Sequence, residues 1–304
     1  RDYKVTGVQT CALPIWTGAD YGRRPVRAGL ALFSTLVLGS FAAALLNAGS
    51  NALNQVFDLD IDRINKPERP LPQGDLTTAQ ALTFAAVTGL AALLLAALCS
   101  TLTGRFDTLA LFIGAAGFSV LYSAPPVRLK MRGWLANATV ALPRGTLLKV
   151  AGWSLVASAA SFEAWFIGAI MGLFLFGATT TKDFSDVTGD AAYGVRTLPV
   201  MHGARAAARM IAPFLFAPFL LIWAGALSGV LHGNLGDLLF LGAISTAWGG
   251  YVALLVLSDP ESLTRSENHP AWRQMYYMMI FLQLGFMLAY LPHDSVKRLW
   301  HSLG

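Results

Sequence analysis

Residues 54–74 read NQVFDLDIDRINKPERPLPQG, and they follow directly on a long apolar run. Asn54, Asp58 and Asp62 recur at four-residue steps, so a helix carries them along one face. Asp60 falls off that face. The helix is expected to end before Pro67, because a residue preceding proline disfavours helical backbone. Acidic residues at the end of an apolar run are the pattern from which the rest of the chain is read.

Composition places that pattern in a bilayer. Of 304 residues, 55% are hydrophobic and only 13% are charged. Soluble domains carry about 25% charged residues. A membrane-spanning helix needs about 20 apolar residues. Eight runs approach that length: 28–56, 77–100, 106–124, 134–158, 163–182, 206–230, 236–258 and 274–291. The expected fold is all-α, a polytopic transmembrane helical bundle. Small residues repeat within these runs, as in FAAALL and AALLLAAL, and suit close helix packing.

Charge in the loops gives an orientation. The connections at 57–76, 125–133, 183–205 and 259–273 hold most of the Lys and Arg, while the alternate connections hold only Arg105. By the positive-inside rule the first set faces the cytoplasm. Arg23, Arg24 and Arg27 before the first run, with Lys297 and Arg298 at the end, fall on the other side. The net charge of +5 is therefore a topology signal and does not indicate nucleic acid. The expected location is the inner membrane of a bacterium. Cys11 and Cys99 form no framework, and the scattered histidines show no ligand spacing.

The N-terminus reads differently. Residues 5–15, VTGVQTCALPI, match an in-frame translation of a sequencing adapter. Residues 1–15 are set aside as a non-native scar. Residues 16–304 are expected to form a single transmembrane domain.

A second acidic stretch, TKDFSDVTGDAAYGVRTLP, covers 181–199. Asp186 and Asp190 share a helix face, with Asp183 one turn earlier. Magnesium takes hard oxygen ligands, commonly one or two carboxylates plus substrate phosphates. Two facing carboxylate pairs suit two ions around one diphosphate. Arg69 follows the first cluster, and Arg128 and Lys130 sit in YSAPPVRLK at 122–130. Arginine binds phosphate oxygens in a fork and lysine as a point charge.

Together these stretches resemble the UbiA-type intramembrane prenyltransferase superfamily over about residues 50–290. The resemblance rests on Asn54, Asp58, Asp62, Arg69-Pro70 and Gly74, on Asp186 and Asp190, and on Tyr122, Arg128 and Lys130. Gln55 stands where the family often has Asp, and Gln73 where it has a small polar residue. The family has nine helices; eight are visible, so the first is expected to be missing. The resemblance implies magnesium, two ions, held by Asp58 and Asp62 and by Asp186 and Asp190, which are also the catalytic set. It implies diphosphate binding by Asn54, Arg69, Tyr122, Arg128, Lys130 and Lys182. The expected reaction transfers a prenyl group from a polyprenyl diphosphate to a small lipophilic or aromatic acceptor in the bilayer. Arg144 and Lys149 in ATVALPRGTLLKVAG, residues 138–152, interrupt an apolar run and so are expected to line a cavity. Arg144 is the candidate acceptor contact. The acceptor reads as a phenolic quinone precursor, with chlorophyllide or another non-phenolic acceptor beside it. A transporter, or a non-catalytic isoprenoid-binding relative, is the reading from another class.

Overall fold

The computed structural model describes residues 26–265 and 269–291, the first five of them by backbone alone. The adapter-like segment, Arg23, Arg24, the side chain of Arg27, Lys297, Arg298 and His293 lie outside the described residues. Among those described there is no strand, only an isolated bridge between Arg132 and Arg196.

The helices are α1 (Val26–Phe57), α2 (Leu59–Asn65), α3 (Thr78–Thr103) and α4 (Asp107–Ser123). Next come α5 (Trp134–Ala141) and α6 (Leu148–Ser154), joined by a π-helical segment, Leu142–Leu147. Then follow α7 (Phe162–Ala178), α8 (Val187–Ala192), α9 (Leu198–Phe216), α10 (Leu220–Ser228), α11 (Leu235–Ser258) and α12 (Pro270–Ala289). One further turn, Thr180–Asp183, extends α7. Each of the eight expected runs is helical. Five reach the length and hydropathy of a membrane span: Ala31–Phe57, Thr78–Thr103, Phe162–Asp183, Leu198–Ser228 and Leu235–Ser258. The other three fall short. α4 has 17 residues, α5 to α6 carry Arg144 and Lys149, and α12 carries Arg273, Gln274 and Gln283.

Helix α3 shows why the bundle forms in lipid. It buries Ala81, Thr88, Ala92, Ala96 and Cys99 and exposes Val87, Leu90, Leu94 and Leu102. Its small residues thus face α1, and its large ones face outward. Apolar tails surround large side chains as well as a protein core does, so close backbone packing decides the interface. Gly49 of α1 makes this contact tight, since a Cβ there would lie 2.7 Å from the Thr88 hydroxyl. A larger core of Phe174, Phe184, Phe219 and Met278 joins α7, α9, α11 and α12.

The connections sort to two ends. At one, Arg105 donates to the Ser154 carbonyl at 2.9 Å and Asp107 accepts from the Ala159 amide at 2.8 Å. At the same end Asn234 donates to the Ala289 carbonyl at 2.7 Å. The opposite end gathers the basic connections: the Arg132–Arg196 bridge ties the second to the third. This alternation matches the loop charges.

Candidate active site

The first acidic stretch does not continue α1. The chain breaks at Asp58 (φ −103, ψ 8) and restarts as α2. Asn54 still reaches forward, its amide donating to Asp58 Oδ2 at 2.8 Å. α2 ends at Asn65, before Pro67, as the proline requires. Arg69-Pro70 then opens a short turn that closes at Gly74, whose φ of 84 is costly for any residue with a Cβ. Asp60 points outward and pairs with Arg63.

The second stretch packs directly on the first. Asn65 donates to the Asp186 carbonyl at 2.8 Å and accepts from the Gly189 amide at 2.8 Å. A Cβ on Gly189 would come within 2.5 Å of Asn65, so glycine permits the approach. Lys66 crosses the same gap, its Nζ 2.5 Å and 2.6 Å from the two Asp186 carboxylate oxygens. Neither Asn65 nor Lys66 is a sequence-predicted site residue. Their signal is position alone, one turn beyond Asp62 on a polar helix.

The loop before α5 supplies the remaining cations. Lys130 is buried and donates to Asp58 Oδ2. Arg128 donates to the Phe57 carbonyl at 2.7 Å and to Asp58 Oδ1 at 3.1 Å. Its backbone is left-handed, at φ 38, which costs a non-glycine residue energy. Arg69 donates to Asp62 Oδ2 at 2.6 Å.

These groups form the polar end of one cavity of about 370 Å³. Asn54, Asp58, Asp62, Asp186 and Asp190 line it, as do Arg69, Tyr122, Lys130, Lys182 and Arg144. Lys66 and Asp183 join them. Arg128 is not among the lining residues; it supports Asp58 from behind. The remaining walls are largely apolar, including Leu46, Phe112, Phe118, Met171 and Phe174. Trp134 is not among the lining residues and stacks on Phe176 at 4.9 Å in the packing of α5 on α7.

The electrostatics differ between the two clusters. Burial raises Asp62 above the usual carboxylate range, against the opposing pull of Arg69. Burial and then the neighbouring Asp186 push Asp190 up to about 7. Crowded carboxylates of this kind favour a cation between them. Among the described residues no three Asp, Glu, His or Cys side chains converge on one point. Pairs of carboxylates facing an open cavity suit magnesium, which completes its shell with water and phosphate oxygens. The donor set present therefore fits that ion.

Residues 13–289 match the UbiA prenyltransferase family. The chain belongs to that family. The UbiA relatives include digeranylgeranylglyceryl phosphate synthase of Methanoculleus marisnigri, 37% identical over 53% of this chain and 55% of that protein. They also include the bacteriochlorophyll synthase 33 kDa chain of Cereibacter sphaeroides, 31% identical over 74% of each. Homogentisate phytyltransferase of Synechocystis is 34% identical over 55% of each. The chain spans about half the length of several of the curated relatives it matches. The UbiA fold is shared with a homolog from Archaeoglobus fulgidus, solved bound to GPP and Mg2+: TM-score 0.64, 21% identity, 86% of this chain and 88% of that one. The apo homolog from Aeropyrum pernix gives a TM-score of 0.63 at 20% identity, over 87% and 94%. The protein is an integral membrane protein. The two departures from the UbiA pattern stand off the cavity: neither Gln55 nor the exposed Gln73 lines it.

Proposed function

We propose that this chain transfers a prenyl group from an isoprenoid diphosphate to an aromatic, quinone-precursor acceptor and releases diphosphate. One observation carries the reading. Both acidic clusters, with Arg69 and Lys130, line the polar end of a single cavity whose other walls are largely apolar. A transport site is usually built near the bilayer midplane on broken helices. Here the acidic groups sit at one end of the bundle, where a diphosphate and a greasy tail are accommodated together. The names of the relatives, and the GPP and Mg2+ in the Archaeoglobus structure, support the same reading.

Asp58 and Asp62 would hold one magnesium, and Asp186 and Asp190 a second. Bound there, the metal supplies positive charge to the departing diphosphate. Arg69, Lys130 and Lys182 donate to its oxygens, with Asn54 and Tyr122 beside them. Asn54 and Arg128 also fix the Asp58 carboxylate. Lys66 and Asn65 hold α8 against α2 and so set the separation of the clusters. Charge preorganised where water is excluded acts most strongly. The apolar walls keep water from the allylic carbon as its bond to oxygen breaks. The acceptor ring then attacks that carbon and loses a proton to the released diphosphate. The motif end faces the cytoplasm, as the loop charges ask.

The test uses the chain in proteoliposomes with labelled geranylgeranyl diphosphate. The acceptors are 4-hydroxybenzoate, homogentisate, dihydroxynaphthoate and chlorophyllide, each with magnesium and with chelator. A magnesium-dependent prenylated phenol is expected. Product from chlorophyllide alone overturns the acceptor. Silence across acceptors and prenyl lengths overturns the activity and favours a transporter or a binding protein.

A further inference from the structure

Arg144 and Lys149 also line the cavity, and both lie outside the two acidic stretches. Arg144 lines the cavity from the π-helical segment. Its hydrogen-bond partner among the described residues is the neutral amide of Asn51, at 2.9 Å from Nη2. Asn51 lies seven residues before Asp58 on α1, about 10 Å along the axis at the helical rise. Arg144 therefore stands apart from the metal-binding end, further into the bundle. Asn47, Ser50, Ser119 and Gln283 line the cavity too. They make a second polar zone among apolar walls.

The backbone is shaped to put Arg144 there. Pro143 lacks an amide proton, and the helix widens to π geometry across Leu142–Leu147. Such bulges concentrate at functional sites. The widened turn fits because α7 offers glycines. A Cβ on Gly145 would lie 2.5 Å from the Gly172 Cα, and Thr146 packs on Gly168 and Gly172. Trp272 and Tyr276 of α12 also line the cavity. Arg144 is exposed and its one hydrogen bond among the described residues is to Asn51, so an anion in the cavity can reach its guanidinium. Its planar fork matches a carboxylate.

We infer that Arg144 and Asn51 form a subsite for the carboxylate of an aromatic acid acceptor. The ring lies between that subsite and the diphosphate, beside Tyr276. This rests on the prenyl-transfer reading and narrows its acceptor to aromatic acids. Arg144 sets which acceptors bind, while the aspartates serve the diphosphate.

Binding is measured without turnover, so the subsite and the activity are tested separately. The full chain in nanodiscs is titrated with 4-hydroxybenzoate, homogentisate and dihydroxynaphthoate, and with the amide of each. Quenching of tryptophan fluorescence is the readout, since Trp272 lines the cavity. At least one acid should bind about tenfold more tightly than its amide, the scale of one charge-assisted pair. Arg144→Gln should abolish that preference and leave amide binding within about twofold; Arg144→Lys should keep part of it. Equal binding of acids and amides, no saturable binding of any acid, or an undiminished preference in Arg144→Gln overturns the subsite. A loss in Arg144→Gln confined to geranylgeranyl diphosphate with magnesium also overturns it, and assigns Arg144 to the diphosphate.

Discussion

Replacing Asn65 by alanine should uncouple the two acidic clusters while leaving every carboxylate in place. Asn65 joins α2 to α8 through two hydrogen bonds of 2.8 Å, to the Asp186 carbonyl and from the Gly189 amide. Each such bond contributes about 0.5–1.5 kcal/mol. Asn65 is half-buried, so water replaces part of what is lost. That leaves about 1–2 kcal/mol of coupling, since the Lys66–Asp186 ion pair remains. If the separation of the clusters sets how both act on one diphosphate, the loss is felt in the transition state. At about 1.36 kcal/mol per tenfold, kcat/KM should fall by about 5- to 30-fold. Half-saturating magnesium should rise in step. The assay is prenyl transfer in proteoliposomes over a magnesium series, with thermal unfolding in detergent beside it. A merely structural role would lower Tm and leave the magnesium dependence where it was. Asn65→Ala with kcat/KM and magnesium dependence within twofold of the parent would refute the coupling.

Other perturbations test separate parts of the structure. Asp58→Asn and Asp186→Asn should each lose at least about 100-fold in kcat, the scale of removing one preorganised charge-stabilising group, with membrane insertion unchanged on alkaline extraction. Gly145→Ala sets a Cβ against the Gly172 backbone at 2.5 Å; thermal unfolding should show a loss of about 1–3 kcal/mol, as overpacking gives. Leu94 is 62% exposed on the outer face of α3; Leu94→Lys should lower insertion by the roughly 2.5–3.5 kcal/mol of a charge in a bilayer, and Leu94→Ile should leave it unchanged.

Much of the bundle was legible because hydropathy reports it directly. Eight apolar runs became eight helical stretches. Errors gathered where proline and glycine act. The run expected from 206 is helical from just after Gly203, and a separate short helical stretch precedes it from Leu198, with Pro199 in its first turn, where a missing amide proton costs nothing. Gly203 (φ 76, ψ 165) is non-helical and divides the two, so hydropathy reports only the longer one. The run at 134–158 hides the π-helical segment, which depends on α7 offering Gly168 and Gly172 to receive it. His269, given no chemistry, accepts from the Ala271 amide and caps α12. His232 binds the buried Glu163 at 3.0 Å, far from the cavity.

The acidic site was legible for a different reason. Spacing along a helix fixes which carboxylates share a face, so Asp58 with Asp62, and Asp186 with Asp190, were readable from sequence. Which cation meets which carboxylate was not, because two of the partners come from remote segments. Lys130 answers Asp58 across 72 positions and Lys66 answers Asp186 across 120. Such pairings follow from the cost of charge at the edge of a bilayer. A buried carboxylate left alone is expensive, and one matched to a cation is tolerated. Asp58, Asp62 and Asp186 are each matched to a Lys or Arg. Asp190 has no such ion pair among the described residues, and it is the carboxylate raised to about 7. The same cations line a cavity that an anionic diphosphate would enter. The residues that balance the charge of the carboxylates are thus the ones placed to receive the substrate, and this dual demand explains why so many charges crowd one end of an otherwise apolar chain.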